Sequence, residues 1–189
     1  HGLTIGELAR FFNDERDMGV ELDVVELKGW QRDLWFDETG LRWIDPSPNL
    51  RTVTQAVLYP GIGSIEATNL SVGRGTDTPF ERLGAPWIEA TQLAALLNAR
   101  ELPGVRFYPE TFTPSASKYA GERCHGIHIV VTNREILRPV HVGLEIAAAL
   151  HQIHGDRFEI DRASRLFGSR EDLRRIRAGE DPAVLAAGW

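Results

Sequence analysis

The chain has a single cysteine, Cys124. One thiol cannot close an internal disulfide, so cysteine usage leaves the redox compartment open. Basic residues are in deficit, with 21 Lys and Arg against 27 Asp and Glu and a net charge of −6. That balance argues against a general nucleic-acid binder, which neutralises phosphates with a basic face. No apolar run approaches the roughly 18 residues that a membrane-spanning helix needs. No charged stretch followed by an apolar one opens the chain, so no signal peptide is read. Repeats, low-complexity runs and internal linkers are absent as well. The chain begins on His1 rather than Met and runs straight into a helical pattern. Sequence upstream of it is therefore expected.

What is present fits one domain with a sizeable core. The 189 residues are 42% hydrophobic and 25% charged, ordinary values for a globular chain. Thr4-Ile-Gly-Glu7 has the form of a capping box and predicts a helix from about Thr4 to Asn13, burying Leu8, Phe11 and Phe12. Glu21 to Leu27 is aliphatic and β-branched and reads as a strand. Lys28 to Leu50 carries Trp30, Trp35, Phe36 and Trp43 among turn-formers and reads as a long ordered loop. At least two of its tryptophans are expected to be buried. Thr52 to Leu58 reads as a short helix stopped by Pro60 and Gly61. Glu89 to Ala99 is helical by spacing, and Val105 to Phe112 and Gly126 to Thr132 are strands. Pro139 to His154 is a helix with Val142, Ile146, Leu150 and Ile153 on one stripe. Ser169 to Ala178 is a charged helix capped by Ser169 and closed by Gly179. Interleaved helices and strands predict an α/β (α+β) fold: a single domain with a mixed sheet and packed helices, not a purely parallel one.

The segment Glu66-Ala-Thr-Asn-Leu-Ser-Val-Gly-Arg-Gly-Thr76 gathers a carboxylate, an amide, hydroxyls and a guanidinium. Gly73 and Gly75 flank Arg74, so the backbone there is free to take positive φ or approach a ligand closely. Arg offers a planar fork to a carboxylate, and Asn and Thr give directional bonds. Two readings stand: a site for an anionic, hydroxylated ligand such as an acidic sugar, or a tight loop closed by its own side chains, with Arg74 paired to Glu66 or Asp77. Gly73-Arg-Gly-Thr76 lacks the spacing of a phosphate loop. Trp30, Arg32, Trp35, Trp43 and Asn49 could stack and hydrogen-bond a sugar. Pro46-Ser-Pro-Asn49 predicts a rigid turn. Glycosidases need two carboxyl groups. Glu66, Asp77, Glu81, Glu110 and Glu122 are the candidates, and Glu66 has the most site-like surroundings. Cys124 and His128 would share a strand face with His125 turned away, and no second ligand pair stands nearby, so no metal and no cofactor is expected.

His1-Gly-Leu-Thr-Ile-Gly-Glu-Leu-Ala9, Gly29-Trp-Gln-Arg32, Pro46-Ser-Pro-Asn49, Glu66-Ala-Thr-Asn-Leu-Ser71, Gly73-Arg-Gly-Thr76, Gly84-Ala-Pro-Trp87 and Cys124-His-Gly126 together resemble the NamZ family of exo-β-N-acetylmuramidases. The family's pattern carries Glu-Gly-Thr-Asn and Leu-Ser-Glu-Gly, where this chain has Ala67 and Val72. The resemblance implies a two-domain peptidoglycan glycosidase acting on non-reducing-terminal N-acetylmuramic acid. Residues 1–189 would be its C-terminal domain, with the active site in a cleft against a Rossmann-like N-terminal domain absent from this chain. The main catalytic carboxylate would belong to that domain. The implied substrate-binding residues are Arg74, with Arg32 second, for the lactyl carboxylate, and Asn69 and Thr68 for hydroxyl or acetamido groups. Asn49, Thr76 and Trp30 complete the set. Glu66 would orient Arg74, bond the sugar or assist catalysis. The implied partners are a peptidoglycan-derived saccharide and the N-terminal domain of the same polypeptide, with no nucleic acid and no membrane span. A secreted or periplasmic location is favoured over the cytoplasm.

Overall fold

The structure, a computed structural model, describes residues 2–188. The chain forms two compact units, residues 1–43 and 44–189.

In the first unit, helix α1 spans Ile5–Glu15. The Glu7 N–H donates to Thr4 Oγ1 at 3.2 Å and the Thr4 N–H donates to the Glu7 carboxylate at 2.7 Å. This reciprocal pair satisfies two of the donors a helix start leaves open. The expected burial of Leu8, Phe11 and Phe12 is not found: they are 39%, 51% and 44% exposed. Phe11 and Phe12 pack edge-on against each other, with centroids 5.6 Å apart. Residues 21–27 are irregular rather than a strand. A β-branched run becomes a strand when a neighbour takes up its N–H and C=O groups, and no described strand pairs with it. The loop tryptophans also depart from expectation. Trp30 is exposed, and Trp35 and Trp43 are half-buried.

The second unit holds the core. Helix α2 covers Val53–Ile62, with the Thr52 hydroxyl accepting from Gln55 N. It runs through Pro60 instead of stopping there. Proline forfeits one helical hydrogen bond, but the last turn is clamped against α4 (Pro139–His154). A Cβ on Gly61 would sit 1.8 Å from Pro139 O, and one on Gly143 would sit 2.4 Å from Gly61 O. The two helices therefore cross main chain on main chain.

Strands β1 (Arg82–Ala85), β2 (Val105–Phe112) and β3 (Cys124–Val131) form one sheet in the order β1-β3-β2. Helices packed on one sheet is the expected class, but both pairings of the described strands are antiparallel, so the sheet is antiparallel rather than mixed. The register sets Phe107 opposite Ile129 and Leu83 opposite Ile127, all within 2% of full burial. Helix α3 (Ala90–Ala99) packs on β2 and β3 through Leu93 and Leu97. Asn98 fastens it, donating to Phe107 O at 2.7 Å and accepting from Phe107 N at 3.1 Å. Val142, Ile146 and Leu150 of α4 are buried as the stripe predicts. Each contributes about 1.5–3 kcal/mol through burial. Helix α5 (Arg170–Arg177) starts at Ser169, whose hydroxyl accepts from Asp172 N at 3.1 Å. The short β1 and helix α6 (Pro182–Ala186) were not expected. Among the described residues, no helix is long and apolar enough to cross a membrane.

Candidate functional site

After α2, a turn of 3-10 helix over Gly63–Ile65 delivers Glu66. Seven and nine residues on, Gly73 and Gly75 take φ of 80° and 81°. Added Cβ atoms there would lie 2.8 Å from Arg82 O and 2.4 Å from Ala116 N. Glycine is thus required twice, for the turn and for close approach. Between the two glycines, Arg74 turns back onto Glu66. Its Nε donates to Glu66 Oε1, and its second terminal nitrogen donates to Oε2 at 3.1 Å. The guanidinium carbon also lies 5.2 Å from the centroid of the Phe80 ring. The bond to Glu66 raises the Arg74 pKa, against desolvation. The self-paired arrangement left open by the sequence is the one adopted.

A third group arrives from a distant segment. Ser115 donates from both N and Oγ to Gly75 O, at 2.9 and 2.8 Å, so residues 115–118 run beside the glycine loop. Lys118 Nζ donates to the main-chain oxygen of Glu66. Burial pushes the ammonium pKa down; Glu66 opposes this, while Arg162 and Arg74 push it further down. Ser117 and Tyr119, on either side, sit at φ of 68° and 59°. Tyr119 Oη donates to Asn69 O at 2.9 Å and accepts from Trp87 Nε1 at 3.4 Å. Beside Trp87 lies an open cavity of about 620 Å³, lined also by Glu89, Thr91, Thr111, His125 and Arg157.

The other residues singled out from sequence are placed as follows. Thr68 is fully buried and its hydroxyl donates to Ile65 O at 2.7 Å. Thr76 Oγ1 donates to Gly73 O at 2.6 Å. The Asn69 amide is engaged at both ends, donating to Arg157 O and accepting from Glu159 N, each at 2.9 Å. These three side chains build the loop. Asn49 lies in the expected turn, where Leu50 N donates to Ser47 O at 2.9 Å, and no bond joins it to Glu66. Trp30 and Arg32 belong to the first unit, where Arg32 pairs with Glu7 at 2.5 Å and lies over the Trp30 ring. Both partners of that ion pair are well exposed, so solvent screens it strongly.

Of the remaining carboxylates, Glu81 accepts from Gln55 at 3.1 Å and Glu110 pairs with Arg82 at 3.3 Å. Asp77 and Glu122 are exposed. Cys124 is buried, with its thiol pushed up to about 11, which suits a core residue rather than a nucleophile. Lys118, Tyr119 and Arg157 were not read as site residues, because nothing local marks them.

Residues 57–189 match the family described as Exo-beta-N-acetylmuramidase NamZ, C-terminal, and residues 1–54 match its N-terminal counterpart. The first 54 residues thus carry N-terminal-type sequence, and the C-terminal match begins just beyond α1 and the long loop. The chain is 46% identical over 159 residues to the peptidoglycan beta-N-acetylmuramidase NamZ of Bacillus subtilis (strain 168), covering 84% of this chain and 38% of that protein. Crystal structures of two DUF1343 family proteins from Bacteroides fragilis NCTC 9343 are also similar. One aligns with a TM-score of 0.81 at 28% identity, over 99% of this chain and 55% of its own. The other gives 0.70 at 26%, over 100% and 51%. The chain therefore spans between about two fifths and just over half of these relatives. With the C-terminal family matched along 133 consecutive positions that include Glu66, Arg74 and Lys118, this chain belongs to the exo-β-N-acetylmuramidase NamZ family.

Proposed function

We propose that this chain is part of a glycoside hydrolase that releases terminal N-acetylmuramic acid from peptidoglycan fragments, and that residues 57–189 supply substrate-binding groups. The observation that carries the reading is the convergence on Glu66 of Arg74, through the side-chain carboxylate, and Lys118, through the main-chain oxygen, on a glycine-built loop inside the family-matched region. With the Glu66 carboxylate bound to Arg74, the Lys118 ammonium adds a second positive charge at this spot, on a chain of net charge −6. N-acetylmuramic acid differs from N-acetylglucosamine by a lactyl ether, and its carboxylate suits such a spot. Glu66 acts as the residue that orients Arg74, since both its oxygens accept bonds from that guanidinium. The carboxylate that moves protons during glycosidic cleavage is placed in the remainder of the longer polypeptide, which we take as this chain's working partner. Peptidoglycan lies outside the cytoplasmic membrane, which supports a secreted or periplasmic location.

A second reading is favoured by one observation. Glu66 gives both carboxylate oxygens to Arg74, Glu81 accepts from Gln55 and Glu110 pairs with Arg82, so these three carboxylates are engaged within the fold rather than held free for proton transfer. Such a site would hold a cell-wall sugar without cleaving it. The test is chromophore release from an aryl β-N-acetylmuraminide, with calorimetric titration of N-acetylmuramic acid alongside. We expect this chain to bind the sugar and the complete polypeptide to cleave the glycoside. Binding without cleavage by the complete polypeptide would establish the binding module, and absence of both would overturn each reading.

A further inference from the structure

We propose that Lys118, rather than Arg74, is the cation that recognises the acid group of the sugar. The assignment rests on the saccharide reading above.

The hydrogen bonds decide between the two cations. Arg74 is already neutralised: two of its nitrogens hold the two oxygens of Glu66, and its plane faces Phe80. A ligand carboxylate would have to displace Glu66 from a bidentate pair, the strongest geometry a carboxylate can be offered. Lys118 is half-buried and donates to a main-chain oxygen, and among the described residues no ion pair joins it to a carboxylate. An ammonium has three donors, so hydrogens remain for an incoming anion. Burial disfavours this ammonium and the charge of Glu66 offsets only part of that, so an anionic ligand adds a favourable partner.

The loop carrying Lys118 is well ordered. Gly121 N donates to Pro114 O at 2.8 Å and Glu122 N donates to Tyr119 O at 2.9 Å. Ser115 ties one side to Gly75, and Tyr119 ties the other to Asn69. The positive φ of Ser117 and Tyr119 aims the intervening side chain at Glu66. A cation fixed before the ligand arrives loses little freedom on binding. Arg74 and Glu66 then form the floor beside which Lys118 reads charge. A neutral sugar gives Lys118 nothing to pair with, so the residue sets specificity rather than general affinity.

The experiment is calorimetric titration of this chain with N-acetylmuramic acid and with N-acetylglucosamine, for wild type, Lys118→Met and Lys118→Arg. A charge-assisted bond of this kind corresponds to about 10–100-fold in affinity. Lys118→Met is expected to weaken N-acetylmuramic acid binding by that factor and to change N-acetylglucosamine binding by less than about two-fold. Lys118→Arg is expected to keep the preference for the acid. Equal losses on both sugars, or none, would overturn the assignment while leaving the saccharide reading intact. Wild type binding neither sugar would overturn the reading itself. A second measurement does not depend on the Met variant folding. Burial, opposed by Glu66 and reinforced by Arg162 and Arg74, makes the ammonium lose its proton below the ordinary lysine range. The wild-type preference for the acid therefore declines as pH rises into the alkaline range, and in Lys118→Arg it stays flat. A decline of equal size in both proteins would place the selective cation elsewhere.

Discussion

In the first unit, α1 has a complete capping box and an apolar stripe, yet it has no buried residue. In the second, α5 is shorter and far more charged, has a single serine cap, and buries Leu173 and Ile176. The contrast separates two causes that sequence patterns mix together. Caps and periodicity decide where a helix begins and which side is apolar. Burial depends on what lies opposite, and that is settled by the rest of the fold.

Substitutions sharpen this contrast. Phe107→Ala removes a ring that is 2% exposed between α3 and the sheet and is expected to cost about 4 kcal/mol. Phe11→Ala, at 51% exposure, should cost less than about 1 kcal/mol. Urea denaturation of the two variants checks the difference, and comparable losses would erase the distinction between the units. Gly61→Ala puts a methyl against Pro139 O and should cost about 2–3 kcal/mol, read as a fall in Tm of several degrees. The smallest pair tests the local signal alone. Thr4→Ala and Ser169→Ala should each lose about 1 kcal/mol, because capping strength does not depend on burial. Far-UV circular dichroism through a thermal melt would report it. A markedly larger loss for Ser169→Ala would mean that packing, not the cap, holds α5.

The same division explains what was legible in the sequence. The α4 stripe, the β2 run and the Thr4 and Ser169 caps are local signals, and the helices and strand they announce are all present. Residues 21–27 carry an equally clear strand signal and form none, because pairing is not a local property. Strand β1 is four residues long and contains Gly84, too short for alternation to register. Helix α6 had its Asp181-Pro182 start signal in view, but five residues show no period. At the candidate site, the Gly73 and Gly75 conformations and the pairing of Glu66 with Arg74 are among the arrangements that the sequence left open. Lys118 reaches Glu66 from 52 positions away, and no local pattern announces such a contact.

The crossing of α2 and α4 has a consequence for the site that follows it. Where helices meet through side chains, the contact has several rotameric states, and warming or a neighbouring mutation redistributes them. Gly61 and Gly143 put no side chain at the point of closest approach, so that point has no rotamers to exchange. The turn that carries Glu66 leaves α2 within a few residues of that point. The main chain that leads to Glu66 thus starts from a fixed point, and its placement relative to α4 should vary little with temperature.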